Sequence, residues 1–249
     1  YRLENLENTL KSFKKIESPF MKIYSVIINV DDPFLRKQIA FCFSKDSFLK
    51  YLKMNLKKTS GFLPNGIFGS KIIPVTSPNN CGILAGHKVQ FSSATKEEFE
   101  KIVSFKNSKE GKSFSNFFDP KLITPAELMS LVFSRKPYVA IIGFDSSGSI
   151  ESDTGESSVF FESFIREERV VSKPIAGLKE LISDAAKSKA TERKDELYKK
   201  AHQMLLESGY VIPIGQVDNA QFYPQEIGNI IWADRISGFP KISEIKVTK

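Results

Sequence analysis

The sequence predicts a mixed α/β fold, and three observations carry that prediction. Tyr138-Val139-Ala140-Ile141-Ile142-Gly143-Phe144 is an unbroken apolar run of strand length, as expected of a strand covered on both faces. Lys22 to Val30 is a second such run, built on β-branched Ile23, Val26, Ile27, Ile28 and Val30. Around them lie segments with apolar residues every three or four positions, the spacing of amphipathic helices.

Taken in order, Leu3, Leu6, Leu10, Phe13 and Ile16 share one helical face, so a short helix is expected to open the chain. The Lys22 to Val30 strand follows. Asp32 before Pro33 is a helix start, since a carboxylate caps free amides and proline suits the first helical position; the helix runs from Phe34 to Phe43. Ser44 or Asp46 caps another, with Phe48, Leu49, Leu52 and Met54, ended by Thr59-Ser60-Gly61. Gly61 to Gly86, rich in glycine and proline, reads as a long surface loop.

Lys88 to Ser92 is a short strand, Thr95 opens a helix through Glu98, Phe99 and Ile102, and Lys106 to Ser115 is a polar connector. Thr124-Pro125-Ala126-Glu127 starts a helix with Leu128, Leu131 and Val132, ahead of the Tyr138 to Phe144 strand. Asp145 to Ser158 reads as a loop, and Phe160, Phe161 and Phe164 resume helical spacing. Two helices follow from Ala176; the second opens near Thr191, carries Leu197, Tyr198, Ala201, Met204 and Leu205 on one stripe, and stops at Gly209 as a left-handed cap. Val211-Ile212-Pro213-Ile214 is a strand, with proline implying an edge or a strand start.

Several classes are disfavoured. The longest apolar run, Tyr138 to Phe144, is far too short for a membrane helix. The chain lacks phosphate-cradling glycine motifs, and Gly143-Phe144-Asp145-Ser146-Ser147-Gly148 lacks the spacing of a nucleophile elbow. His87 and His202 are the only histidines; His202 sits beside an apolar stripe and reads as a surface or boundary residue. A net charge of +7 includes Lys50, Lys53, Lys57 and Lys58 near one helix, yet acidic residues are interspersed throughout, so a solvated surface is expected and no nucleic-acid partner. Cys42 and Cys81 allow at most one intrachain disulfide.

Four stretches together resemble the oligopeptide-, dipeptide- and nickel-binding class of extracytoplasmic solute-binding proteins that serve ABC importers. Tyr24 to Asn29 followed by Asp31-Asp32-Pro33-Phe34-Leu35-Arg36-Lys37-Gln38-Ile39-Ala40 resembles the family's strand ending in Asn and its "D-x-x-V-R-Q-A" helix. Phe62-Leu63-Pro64-Asn65-Gly66 is similar to an "x-P-x-G" loop. Arg135 to Phe144 resembles the "G-x-Y-D-hydrophobic-G-W" strand, with Val139 where the acid is usual and Phe144 where Trp is usual. Arg193 to Glu207 with Val211-Ile212-Pro213-Ile214 is similar to the "R-x-x-L-Y-x-x-A-x-x-L-L" helix and "V-I-P-L" strand.

The resemblance implies the mixed-sheet lobe of a type II periplasmic-binding-protein-like fold. It divides the chain into 1–23, a helix and linker from a missing first lobe; 24–220, a C-terminal ligand-binding lobe; and 221–249, a segment returning toward the first lobe. It implies a receptor that accelerates no reaction and needs no cofactor or metal. Its partners would be a peptide or other small solute and a membrane permease; it would act as a monomer, periplasmic or at the cell surface, with lipid anchoring an option for the full-length protein. A degenerate lobe serving as a surface scaffold is the alternative. The family's loop after the apolar strand supplies an aromatic wall and often a carboxylate for a peptide's amino terminus, which maps the ligand site onto Phe144, Asp145, Ser146 and Ser147. The acid's own position falls on Ser147, and Asp145 is the nearest carboxylate. Read without the family, Asp145 suits a turn as well as a ligand contact, and Phe144 suits a core.

Overall fold

The computed structural model describes residues 13–17, 22–53, 56–57, 59, 61–64, 67–72, 88–145, 157–167, 170–217, 220–224 and 226. In chain order its elements are β1 (Phe13–Glu17), β2 (Lys22–Asn29), α1 (Pro33–Cys42), α2 (Lys45–Leu52), β3 (Leu56–Lys57), β4 (Val89–Ser93), α3 (Lys96–Lys106), α4 (Lys112–Phe117), β5 (Phe118–Leu122), α5 (Pro125–Ser134), β6 (Tyr138–Asp145), α6 (Ser158–Ile165), α7 (Leu178–Lys187), α8 (Thr191–Glu207), β7 (Val211–Val217) and β8 (Ala220–Pro224).

The β-branched and aromatic strands β7, β2 and β6 lie side by side within a six-stranded sheet of order β3-β7-β2-β6-β4-β5. β2 is antiparallel to both β6 and β7, β3 is antiparallel to β7, and β4 is parallel to β6 and β5. Strands β7, β6, β4 and β5 therefore run one way. Their carboxyl ends, Val217, Asp145, Ser93 and Leu122, reach the edge at which β2 begins with Lys22. A separate ribbon pairs β1 with β8, Glu17 opposite Ala220. Since β1 precedes β2 and β8 follows β7, the chain enters and leaves the large sheet through neighbouring strands at that edge.

Period-two alternation sends successive side chains of β2 and β6 into two cores. Ile23, Ile27, Tyr138, Ala140 and Phe144 face α6, α7 and α8, where Phe160, Phe164, Leu178, Ile182, Tyr198 and Leu205 close one layer. Val26, Ile28 and Val139 face the other way, against Ile39, Phe48, Ile102, Phe105 and Phe118. Edge-to-face rings tighten this second core: Phe48 meets Phe105 at 5.2 Å and Phe91 meets Phe118 at 5.3 Å between centroids.

Local signals explain the helix ends. Asp32 accepts from the Phe34 and Leu35 amides at 2.8 and 3.3 Å, with Pro33 at the first position of α1. Thr124 and Glu127 form a reciprocal capping box on α5. Gly209, at φ 75°, ends α8 so close to α1 that an added Cβ would lie 2.8 Å from the Lys37 nitrogen. Beside it Arg36, buried, donates to the carbonyls of Val30 and Ser208 at 2.6 and 3.2 Å and stacks 3.7 Å from the Tyr210 ring centroid.

The structure corrects several expectations. Phe13 and Ile16 lie in β1, where backbone pairing with β8 overrides a helical spacing that sequence alone could not weigh against a partner some two hundred residues on; Leu3, Leu6 and Leu10 fall outside the described residues. The polar connector from Lys106 gives way to α4 at Lys112, and β5 follows, with Pro120 tolerated because β5 is an edge strand. The Gly61 loop is not wholly superficial, since Phe62 and Leu63 are fully buried. α2 stops at Leu52, with Lys53 in the left-handed region at φ 50°. Pro213 keeps its edge position locally: β3 covers β7 only at Val217 and Gln216, and the register with β2 shifts beside the proline. Cys42 is disulfide-bonded, and Cys81, the one other cysteine in the sequence, lies outside the described residues.

Candidate functional site

The edge that collects the strand ends is where an α/β sheet offers a crevice. Of the four residues mapped to a ligand site, Phe144 is 6% exposed. Its ring packs at 5.1 Å on Phe62 and 5.5 Å on Phe164, so it belongs to the core beneath α6. Asp145 ends β6 at the edge, opposite Lys22 in the register. Ser146 and Ser147 lie outside the described residues.

On the sheet face opposite Phe144, a cleft of about 260 Å³ opens between β2, β6, the end of α2 and the first turn of α3. Tyr24, Leu52 and Ile141 form apolar walls, and Thr95, Glu98 and Lys101 carry the polar side. The sequence marks Thr95 as a helix start, and its hydroxyl accepts from the Glu98 amide at 3.2 Å, which fixes the first turn of α3. Lys101 is drawn to Glu97 at 2.7 Å. Burial pushes the Glu98 carboxyl up to about 7, against the lowering effects of the Ala94 amide and Lys101. A larger concavity, about 460 Å³, lies beside the amino end of α2, where the Lys45 ammonium donates to the Thr59 carbonyl at 3.0 Å; none of its lining residues belongs to β4, β6 or α3.

Three polar residues have structural roles that sequence reasoning did not give them. His202, expected at the surface, is fully buried in α8. Its Nε2 accepts from the Phe62 amide at 2.7 Å and lies 3.3 Å from the Leu63 nitrogen, which leaves the proton on Nδ1 to donate to the Gly69 carbonyl at 2.8 Å. Burial lowers its pKa to about 4, so the ring is neutral. Asp195, on the same helix, accepts from the Gly69 amide at 2.7 Å. Asn29, at the far end of β2, donates to the Lys136 carbonyl at 2.9 Å and accepts from the Ser172 amide at 2.7 Å. The signal for His202 was its place beside the apolar stripe; its partners lie in an irregular loop that periodicity does not resolve.

No protein-family model and no curated protein matches the sequence. Solved structures do match. The ABC transporter substrate-binding protein CtaP from Listeria monocytogenes aligns at TM-score 0.69 and 14% identity, over 99% of this chain and 54% of its own. OppA from Haemophilus influenzae, in complex with the peptide RPPGFSPFR, gives TM-score 0.71 and 14% identity over 99% and 52%. NikA from Brucella suis, in complex with Fe(III)-EDTA, gives 0.67 and 12% over 98% and 54%. The chain spans about half the length of these structures, and its fold is that of the ABC-transporter substrate-binding proteins, the periplasmic-binding-protein-like α/β fold that the resemblance implies.

Proposed function

We propose that the chain is the C-terminal, solute-binding lobe of an extracytoplasmic receptor for an ABC importer, closing on a peptide or other small solute against another lobe and presenting the closed form to a membrane permease. The observation that carries this reading is the shared edge: four strand ends meet the entry and exit of the chain there, beside the β1–β8 ribbon. A two-lobe receptor closes about such paired crossings by hinge motion. On this reading residues 24–220 form the lobe, and 1–23 and 221–249, which hold β1 and most of β8, run toward the other.

The disulfide at Cys42 supports an oxidising, extracytoplasmic compartment. The related folds hold unlike solutes, a peptide in one and Fe(III)-EDTA in another, so the fold leaves the solute open. Asp145 at the end of β6 is the proposed polar contact, together with Ser146 and Ser147 after it.

Native mass spectrometry of the mildly purified full-length gene product, beside its Asp145→Ala variant, tests this. A co-purifying solute that is lost in the variant is the expected outcome. A protein that is empty under every condition would overturn the reading.

A further inference from the structure

Helix α5 carries the chain from the end of β5 to the start of β6, and β4 lies between those two strands in the sheet. Val132 anchors α5 in the core that holds Tyr138, with Leu128 and Leu131 packed against it. Beside α5 a third cleft, of about 320 Å³, shares no lining residue with the two concavities described above. Ile123, Leu131, Pro137 and Tyr138 give it apolar walls. The Tyr138 hydroxyl is already spent on the Val170 carbonyl at 2.8 Å. Two lysines reach the cleft, Lys121 and Lys136. Lys121 stands opposite Ser92 in the β4–β5 register, and the Asn29 amide fixes the backbone of Lys136 by donating to its carbonyl at 2.9 Å. Among the described residues neither lysine is in an ion pair. The one acid in the lining, Glu127, is committed to the capping box of α5: it accepts from the Thr124 amide and hydroxyl at 2.7 and 2.9 Å, which holds its carboxyl below the usual range. The buried member of the lining is Ser92, 1% exposed. Its hydroxyl accepts from the Gln90 side-chain amide at 3.2 Å, which leaves its own O–H proton without an acceptor among the described residues. Native interiors seldom leave a buried donor so.

We infer that this cleft binds a small organic acid, a carboxylate on an apolar body, with the Lys121 and Lys136 ammonium groups as its counter-charges and the Ser92 hydroxyl as a further donor. The inference goes beyond the solute-binding reading and does not depend on it. A carboxylate has acceptors only, and the cleft offers two ammonium groups and one hydroxyl proton that the fold does not use. A cation would meet both lysines with like charge. A neutral body would gain no charge-assisted contact, and an anion with no body would leave the Ile123, Leu131, Pro137 and Tyr138 walls in water. The volume falls at the lower end of the roughly 300–1,000 Å³ usual for small-molecule sites, which suits a small acid.

The test is calorimetry on the full-length protein with 3-phenylpropionate and 3-phenylpropanol, a neutral molecule of nearly the same shape, with inorganic phosphate as competitor at matched ionic strength. The wild type is expected to prefer the acid by about tenfold or more, the order of one charge-assisted contact. The double variant Lys121→Gln/Lys136→Gln should bind acid and alcohol alike, and Ser92→Ala should narrow the preference. Both lysines are exposed, so the double variant should keep the wild-type thermal midpoint and any solute that co-purifies with the wild type. Equal binding of the two probes by the wild type, binding of neither, displacement of the acid by an equal concentration of phosphate, or a preference that survives in the double variant would overturn the assignment. Each of these leaves the receptor reading to its own test, the solute lost in Asp145→Ala.

Discussion

A neutral histidine on α8 holds a loop whose contacts with it lie 133 to 140 residues away in sequence. Because the folded state depresses the His202 pKa from 6.5 to about 4, the unfolded chain binds the proton first as pH falls. The stability it contributes is complete above pH 6.5 and is lost as pH drops toward 4, a change on the order of 3 kcal/mol at most. Urea unfolding at pH 7.5 and 4.5 should show a larger acid-induced loss in the wild type than in His202→Gln; equal losses would contradict the assignment. Glu98 works with the opposite sign. Its carboxyl is raised, so the folded state resists ionisation and loses stability as pH rises from about 4.5 to 7. Glu98→Gln should therefore gain stability relative to the wild type on going from pH 5 to pH 8, and a constant difference would show that Glu98 ionises freely. Neither shift was legible in the sequence, because each arises from burial by residues distant along the chain.

At the scale of elements, caps and turns are the most legible features, since their partners are a few residues apart. Asp32→Ala removes the acceptor for two amides of α1 and should cost about 1 kcal/mol. Gly209→Ala should cost more, about 1–3 kcal/mol, because a side chain at φ 75° is strained and its Cβ would press on the α1 backbone at Lys37. Thermal unfolding of the two variants checks the order; a Gly209→Ala variant as stable as the wild type would contradict the close packing of α8 on α1. The strands β2 and β6 were equally legible, because burial on both faces leaves an uninterrupted apolar run. β1 and β5 were not. Phe13-Lys14-Lys15-Ile16-Glu17 earns strand geometry only by pairing with β8, and Phe118-Asp119-Pro120-Lys121-Leu122 only by its place at the sheet edge.

At the scale of the whole molecule, the order of motifs pointed to the fold although each motif alone was weak, and the shared edge explains why order mattered. β2 and β7 must be adjacent for the chain to enter and leave together, and that adjacency joins Ile23 to Gln216 across nearly the whole described chain. Clefts were less legible than the fold. Phe144 is in the core beneath α6 and Asp145 ends β6, while an open cleft lies on the other sheet face, on Tyr24, Glu98 and Ile141. A cleft drawn from four elements that span Tyr24 to Ile141 in sequence has no local signature. If the edge is half of a binding site, affinity needs the partner lobe. The direct measurement is native mass spectrometry of the full-length protein and of this 249-residue chain expressed alone, prepared identically. The account predicts a retained solute on the full-length protein and none on the isolated chain; tight, stoichiometric binding by the isolated chain would contradict it.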